Sequence, residues 1–137
     1  KQAQVGVEGL RLAAEVEVPK GFMWDGEMCV GPLRTQVFQG TVQGCPVYLV
    51  RPAEGTGSNI FRGGRIYGGS YNEMEAYLYF CRACLEFLRH SHQQPHILQL
   101  HDWHTAAAAM LYWQEYDSGG AGRTRVVLTI HNMENTG

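Results

Sequence analysis

The stretch HILQLHDWHTAAAAMLYW, residues 96–113, changes character halfway along. Its first part is a short apolar run opened by Pro95, the pattern of a buried strand. Its second part is rich in alanine, the residue with the highest intrinsic helix propensity, and predicts a helix from Trp103 to Tyr116. Ala106, Met110 and Trp113 fall along one side of that helix, and Asp102 is placed to cap it. Between strand and helix stands His101-Asp102-Trp103-His104, a dense polar cluster where the chain turns.

Working outward, YNEMEAYLYFCRACLEFLRHS (71–91) predicts a second helix. Tyr77, Cys81, Cys84, Leu85 and Leu88 recur at helical spacing, and Arg82, Glu86 and Arg89 mark the opposite face. Asn72 is a plausible N-cap, with Glu75 three residues on in a capping-box arrangement. On the other side, DSGGAGRT (117–124) reads as a loop and RVVLTIHN (125–132) as a β-branched, nearly continuous buried strand. Helix, strand, helix, strand is the rhythm of an α/β fold with a parallel sheet and right-handed crossovers.

The first third is built differently. AAEVEV suggests a strand near Leu12 to Val18. TQVFQGTV and PVYLV, joined by QGC, predict an antiparallel hairpin with Gly44 in its turn. RPAEGTGSNIFRGGRIYGGS (51–70) is a long surface loop, of a length that in compact domains goes with function or disorder. Glycine supplies 17 of the 137 residues, above the usual ~7%, and no repeat period accompanies it.

Composition excludes several classes. The formal charge of -2 gives no reason to expect nucleic acid as a partner. The longest apolar run, Ala106–Trp113, is far short of the ~20 residues of a membrane span. Four cysteines, Cys29, Cys45, Cys81 and Cys84, include a CxxC pair inside a helical pattern. That placement suits neither a redox pair nor a zinc knuckle, and predicts reduced, mostly buried thiols. The chain opens on Lys1 and stops on Gly137 just after a strand, so a single partial domain over residues 1–137 of a longer protein is expected.

In open parallel sheets, ligands bind beyond the carboxyl ends of the strands. One strand empties into His101-Asp102-Trp103-His104 and the other into His131-Asn132, so both clusters are expected at one edge. Three uses remain open on chemistry alone. His101 and His104, spaced i, i+3, could chelate a metal with Asp102 and His131. The histidines could be structural and Asp102 a cap. Or the edge could bind a sugar or nucleotide, with Trp103 as an apolar face and Asp102 as a charged acceptor.

HDWHTA, followed some thirty residues later by TIHNMENTG and preceded by GCPVYLV, IYG and CRACLEFL, resembles the bacterial glycogen synthase and plant starch synthase family. The likeness covers most of residues 35–137 and is closest to the plant and algal soluble starch synthases. The resemblance implies a two-domain GT-B glycosyltransferase of Rossmann-like halves. It would move glucose from ADP-glucose to the non-reducing end of an α-1,4-glucan with retention of configuration. This chain would be an inner part of the N-terminal, acceptor-side domain. By the same resemblance Asp102 and His131 are the catalytic candidates, and His101, Trp103 and Asn132 are candidate substrate contacts. No metal or cofactor is implied, and ADP-glucose and the glucan are the partners. The compartment implied is a plastid, or the cytoplasm in a bacterium.

Departures from the family pattern are Asn72 and Ala76 where an acidic residue and an arginine are usual, Gln99 in place of a histidine, and Asn135-Thr136-Gly137 for tyrosine-glutamine-glycine. They spare Asp102 and His131 and imply a divergent isoform. The family's donor loop would precede Lys1 and its diphosphate-binding cations would follow Gly137, so the 137 residues alone are expected to transfer no glucose. Two rivals follow from the residues: a non-catalytic glucan-binding scaffold, and a metal-dependent hydrolase using His101 and His104. UDP-glucose is the alternative donor.

Overall fold

The computed structural model describes residues 6–19, 23–24, 27–28, 32–53, 73–117 and 123–134. The proposed Asn72 cap, Cys29, most of the glycine-rich stretch and residues 135–137 lie outside them.

Strands β1 (Glu8–Val18), β4 (Leu33–Val42) and β5 (Cys45–Pro52) form an antiparallel sheet in the order β1-β4-β5. Two short strands, β2 (Met23–Trp24) and β3 (Glu27–Met28), pair antiparallel between them in sequence. The predicted hairpin is present. Val42 pairs with Cys45 across a two-residue turn in which Gln43 and Gly44 both have positive φ, 51° and 79°. Positive φ at both central positions matches the twist of the flanking strands, and glycine adopts it without strain. Gly40 is required for another reason: a Cβ there would lie 2.5 Å from Val7 Cγ1 and 2.9 Å from the Glu8 carbonyl.

Helix α1 (Glu73–His90) has two buried sides. Ala76, Tyr79 and Ala83 pack with Val18, and Phe87 packs with Val16 and Val37, all against the antiparallel sheet. Cys81 and Leu85 pack on the other side with Leu100, Ala108 and Leu111. Each fully buried large side chain contributes about 1.5–3 kcal/mol relative to an exposed one, so α1 is the element joining both halves of the core. Tyr79 is fully buried, and its hydroxyl meets the equally buried Thr35 Oγ1 at 2.7 Å. Burial pushes the Tyr79 phenol up to about 12.

Glu86, expected on the solvent face of α1, is instead buried, only 4% exposed. Its carboxylate accepts from the Tyr116 hydroxyl at 2.5 Å and from Arg89 at 2.5 Å, and these bonds supply what burial takes away.

The second half is the expected β-α-β unit. Strands β6 (Ile97–His101) and β7 (Arg125–Thr129) pair in parallel, joined through α2 (Asp102–Leu111) and a π-helical turn at Tyr112–Tyr116. The strands are less enclosed than their apolar sequences predict: Ile97 is 61% exposed and Val127 44%. Helices α1 and α2 cover one face, through Leu98, Leu100 and Val126, and among the described residues nothing of the same kind covers the other. On α2, Ala108 and Leu111 point inward, while Met110 faces outward, as does Trp113 in the π-helical turn. No described helix is long and apolar enough to cross a membrane.

Candidate active site

The carboxyl ends of β6 and β7 lie side by side because the strands run in register, with His101 opposite Thr129. Side chains alternate along a strand, so Gln99 and His101 share a face with Thr129 and, two residues on, His131. Two cross-strand bonds follow. Gln99 Nε2 donates to Thr129 Oγ1 at 3.0 Å, and His101 Nδ1 lies 2.9 Å from His131 Nε2. The two imidazole planes differ by 13° with centroids 5.2 Å apart, the geometry of rings meeting edge to edge through one shared proton.

Asp102 does not cap α2. The N-cap is His101, with no side-chain cap bond, and Asp102 is the first helical residue, at φ 56°. Its Oδ1 accepts the main-chain N–H of His131 at 2.7 Å. Left-handed backbone at a non-glycine residue costs on the order of 1–2 kcal/mol. A hydrogen bond to a charged group contributes about 1.5–3 kcal/mol, with exposed examples at the low end. The two are of similar size, so the carboxylate holds the turn that aims it. Thr105, which sequence reasoning passed over, pins the same corner: its Oγ1 accepts from His101 N at 2.7 Å and donates to His101 O at 2.8 Å.

The structure thus brings His101, Asp102 and His131 into direct contact. Trp103 and Asn132, the other two expected substrate contacts, each have partners within the protein. The Trp103 ring stacks on His104 (4.3 Å, 28°) and meets Tyr77 edge-on (5.1 Å, 90°), so part of its apolar surface packs within the protein. Asn132 Oδ1 accepts from the N–H of Glu134 at 2.9 Å, an Asx turn that bends the chain after the site. His104 packs on Tyr77 as well (4.7 Å, 87°), so it and His101 engage different partners rather than converging as a chelating pair. Among the described residues no group of three or more metal-binding side chains gathers.

A cavity of about 590 Å³ opens at the other end of the parallel strands, lined by Pro95, Leu98, Tyr112, Tyr116 and Thr124 among others. It lies at the amino ends of β6 and β7, away from the His101–His131 edge. Of the described cysteines, all free, Cys81 is buried, Cys84 half-buried and Cys45 exposed. Burial pushes the Cys81 thiol up to about 11, away from nucleophile chemistry.

The family described as the starch synthase catalytic domain matches residues 7–137. The chain belongs to this family. It is similar to soluble starch synthase 3 of Solanum tuberosum, 36% identical over 84% of this chain and 8% of the relative. It is also similar to the glycogen synthase of Protochlamydia amoebophila, 39% identical over 74% of this chain and 20% of the relative. Among solved structures, the catalytic domain of starch synthase IV from Arabidopsis thaliana, bound to ADP and acarbose, aligns with TM-score 0.76 and 35% identity. That alignment covers 93% of this chain and 24% of the other, so the described residues correspond to a part of the GT-B fold. The chain therefore spans a small part of the length of the starch and glycogen synthases it matches.

Proposed function

We propose that these residues form part of the N-terminal, acceptor-side domain of a starch synthase, which transfers glucose from ADP-glucose to the non-reducing end of an α-1,4-glucan with retention of configuration. The observation that carries this reading is the convergence of Asp102 and His131, from two consecutive parallel strands, on one rim in a chain of this family. Glucose leaving a diphosphate develops oxocarbenium character, and preorganised acceptors close to that charge stabilise it. Asp102 supplies a carboxylate whose first oxygen is tied to the His131 peptide, leaving the second for a sugar hydroxyl. His131 presents its ring from the adjoining strand end. His101, Trp103 and Asn132 border the same rim. The curated plant relatives are chloroplastic or amyloplastic by name, and a plastid is the compartment we propose.

The test uses the full-length protein that contains these residues, with labelled ADP-glucose and a glucan primer. Incorporation into glucan is expected, and UDP-glucose should compete poorly. Asp102→Asn and His131→Ala should each lower turnover about 100-fold or more. Glucan binding without transfer by the intact protein, or near-normal turnover in either variant, would overturn the reading.

A further inference from the structure

His131 lies beyond the end of β7, in an exposed, irregular segment. Two bonds from the end of β6 reach it: its main-chain N–H donates to Asp102 Oδ1, and its ring Nε2 meets His101 Nδ1. The first fixes where the His131 peptide sits, and the second fixes how the ring is turned about its side-chain bonds. His101 is itself anchored on both main-chain polar groups by Thr105 Oγ1, and its carbonyl and amide belong to the last position of a paired strand. The imidazole that stands on the better-anchored main chain therefore sets the orientation of the one in the irregular segment.

We propose that His101 is a positioning residue that acts through His131 rather than a direct substrate contact. By engaging Nε2, His101 selects the His131 ring orientation in which Nδ1 is turned toward the rim, and it ties the His131 tautomer to its own. The proposal rests on the reading of the rim as a glucosyl-transfer site.

The experiment compares His101→Phe, His101→Asn, His131→Ala and the double variant His101→Phe/His131→Ala in the full-length enzyme. Phenylalanine keeps the ring volume but removes the shared proton. Asparagine places an amide, able to donate or accept, where Nδ1 stands. His101→Phe should lower kcat about tenfold or more with the KM values for ADP-glucose and glucan within about twofold, since a misaimed group loses transition-state rather than ground-state contacts. His101→Asn should recover most of that loss. In the His131→Ala background, His101→Phe should cost no more than about twofold, because its route of action is gone. A rise in KM with kcat kept, full additivity with His131→Ala, or no rescue by asparagine would each overturn the proposal. If His131→Ala alone keeps normal turnover, the assignment of His131 fails, and the positioning role fails with it. A crystal structure of the His101→Phe enzyme gives a readout independent of activity: a rotated His131 ring is expected, and an unmoved ring refutes the role.

Discussion

Asp102 accepts the main-chain N–H of His131 at 2.7 Å, tying together the ends of two parallel strands beyond the ladder that runs from Ile97–Arg125 to His101–Thr129. The bond is made from a left-handed backbone position, so the carboxylate both shapes its own turn and holds its neighbour.

Asp102→Asn and Asp102→Ala should therefore differ in stability. Asparagine keeps an acceptor oxygen and tolerates positive φ, so its folding free energy should stay within about 0.5 kcal/mol of the parent. Alanine loses the acceptor and retains the strain, costing about 2 kcal/mol. Chemical denaturation of both variants measures the gap, and equal stability would show that the bond to His131 carries no structural load.

The buried Thr35–Tyr79 pair predicts a non-additive cycle. Tyr79→Phe leaves Thr35 Oγ1 its 3.2 Å bond to the Leu33 carbonyl, removes the 2.7 Å one, and should cost about 1 kcal/mol. Thr35→Val should also destabilise, because the Tyr79 hydroxyl loses its bond to Thr35 Oγ1. The double variant should be closer to the parent than the sum of the two, and a strictly additive result would contradict the pairing.

Gly40→Ala should destabilise the antiparallel sheet by about 1–3 kcal/mol through overpacking, since the new methyl meets the Glu8 main chain. Gly44→Ala, by contrast, meets no atom and acts only through its positive φ, with a cost of about 1 kcal/mol. Thermal unfolding of the two variants ranks them, and a neutral Gly40→Ala would mean that β1 does not approach β4 so closely.

Alkaline pH should unfold the protein earlier than its charge suggests. Burial raises the Cys81 thiol from 9.0 to about 11 and the Tyr79 phenol from 10.0 to about 12. The unfolded chain releases these protons first, so above pH 9 it binds fewer protons than the native state and stability declines as pH rises. The contribution is whole below pH 9 and is lost through about pH 11 for the thiol and about pH 12 for the phenol. Cys81→Ala should flatten the first part of that decline. In native protein an alkylating reagent should modify the exposed Cys45 well before Cys81.

How much of this was legible in the sequence depends on how far each partner lies along the chain. The hairpin around Gly44, helix α1 and the strand-to-helix change at His101 were written in local patterns. The convergence of Asp102 with His131 followed from two strand ends and one topological rule. The use of Asp102 did not: an aspartate opening a helix ordinarily caps it, and here its partner lies on another strand. The second buried side of α1 was hidden because Ala76, Tyr79 and Ala83 mix small residues with an aromatic one. Glu86 looked like a surface charge because its partner, Tyr116, is supplied by a π-helical turn that no periodicity announces. The exposed face of β6 and β7 departs from the sequence for a simpler reason. A continuous apolar run signals cover on two sides, and among the described residues α1 and α2 supply one.

Because α1 is shared by the antiparallel sheet and the parallel pair, neither half retains its hydrophobic contacts if the helix leaves. The two sheets should accordingly lose amide protection together in native-state hydrogen exchange, as one cooperative unit, with slow-exchanging amides at Val37 and Leu100 reporting the same opening free energy.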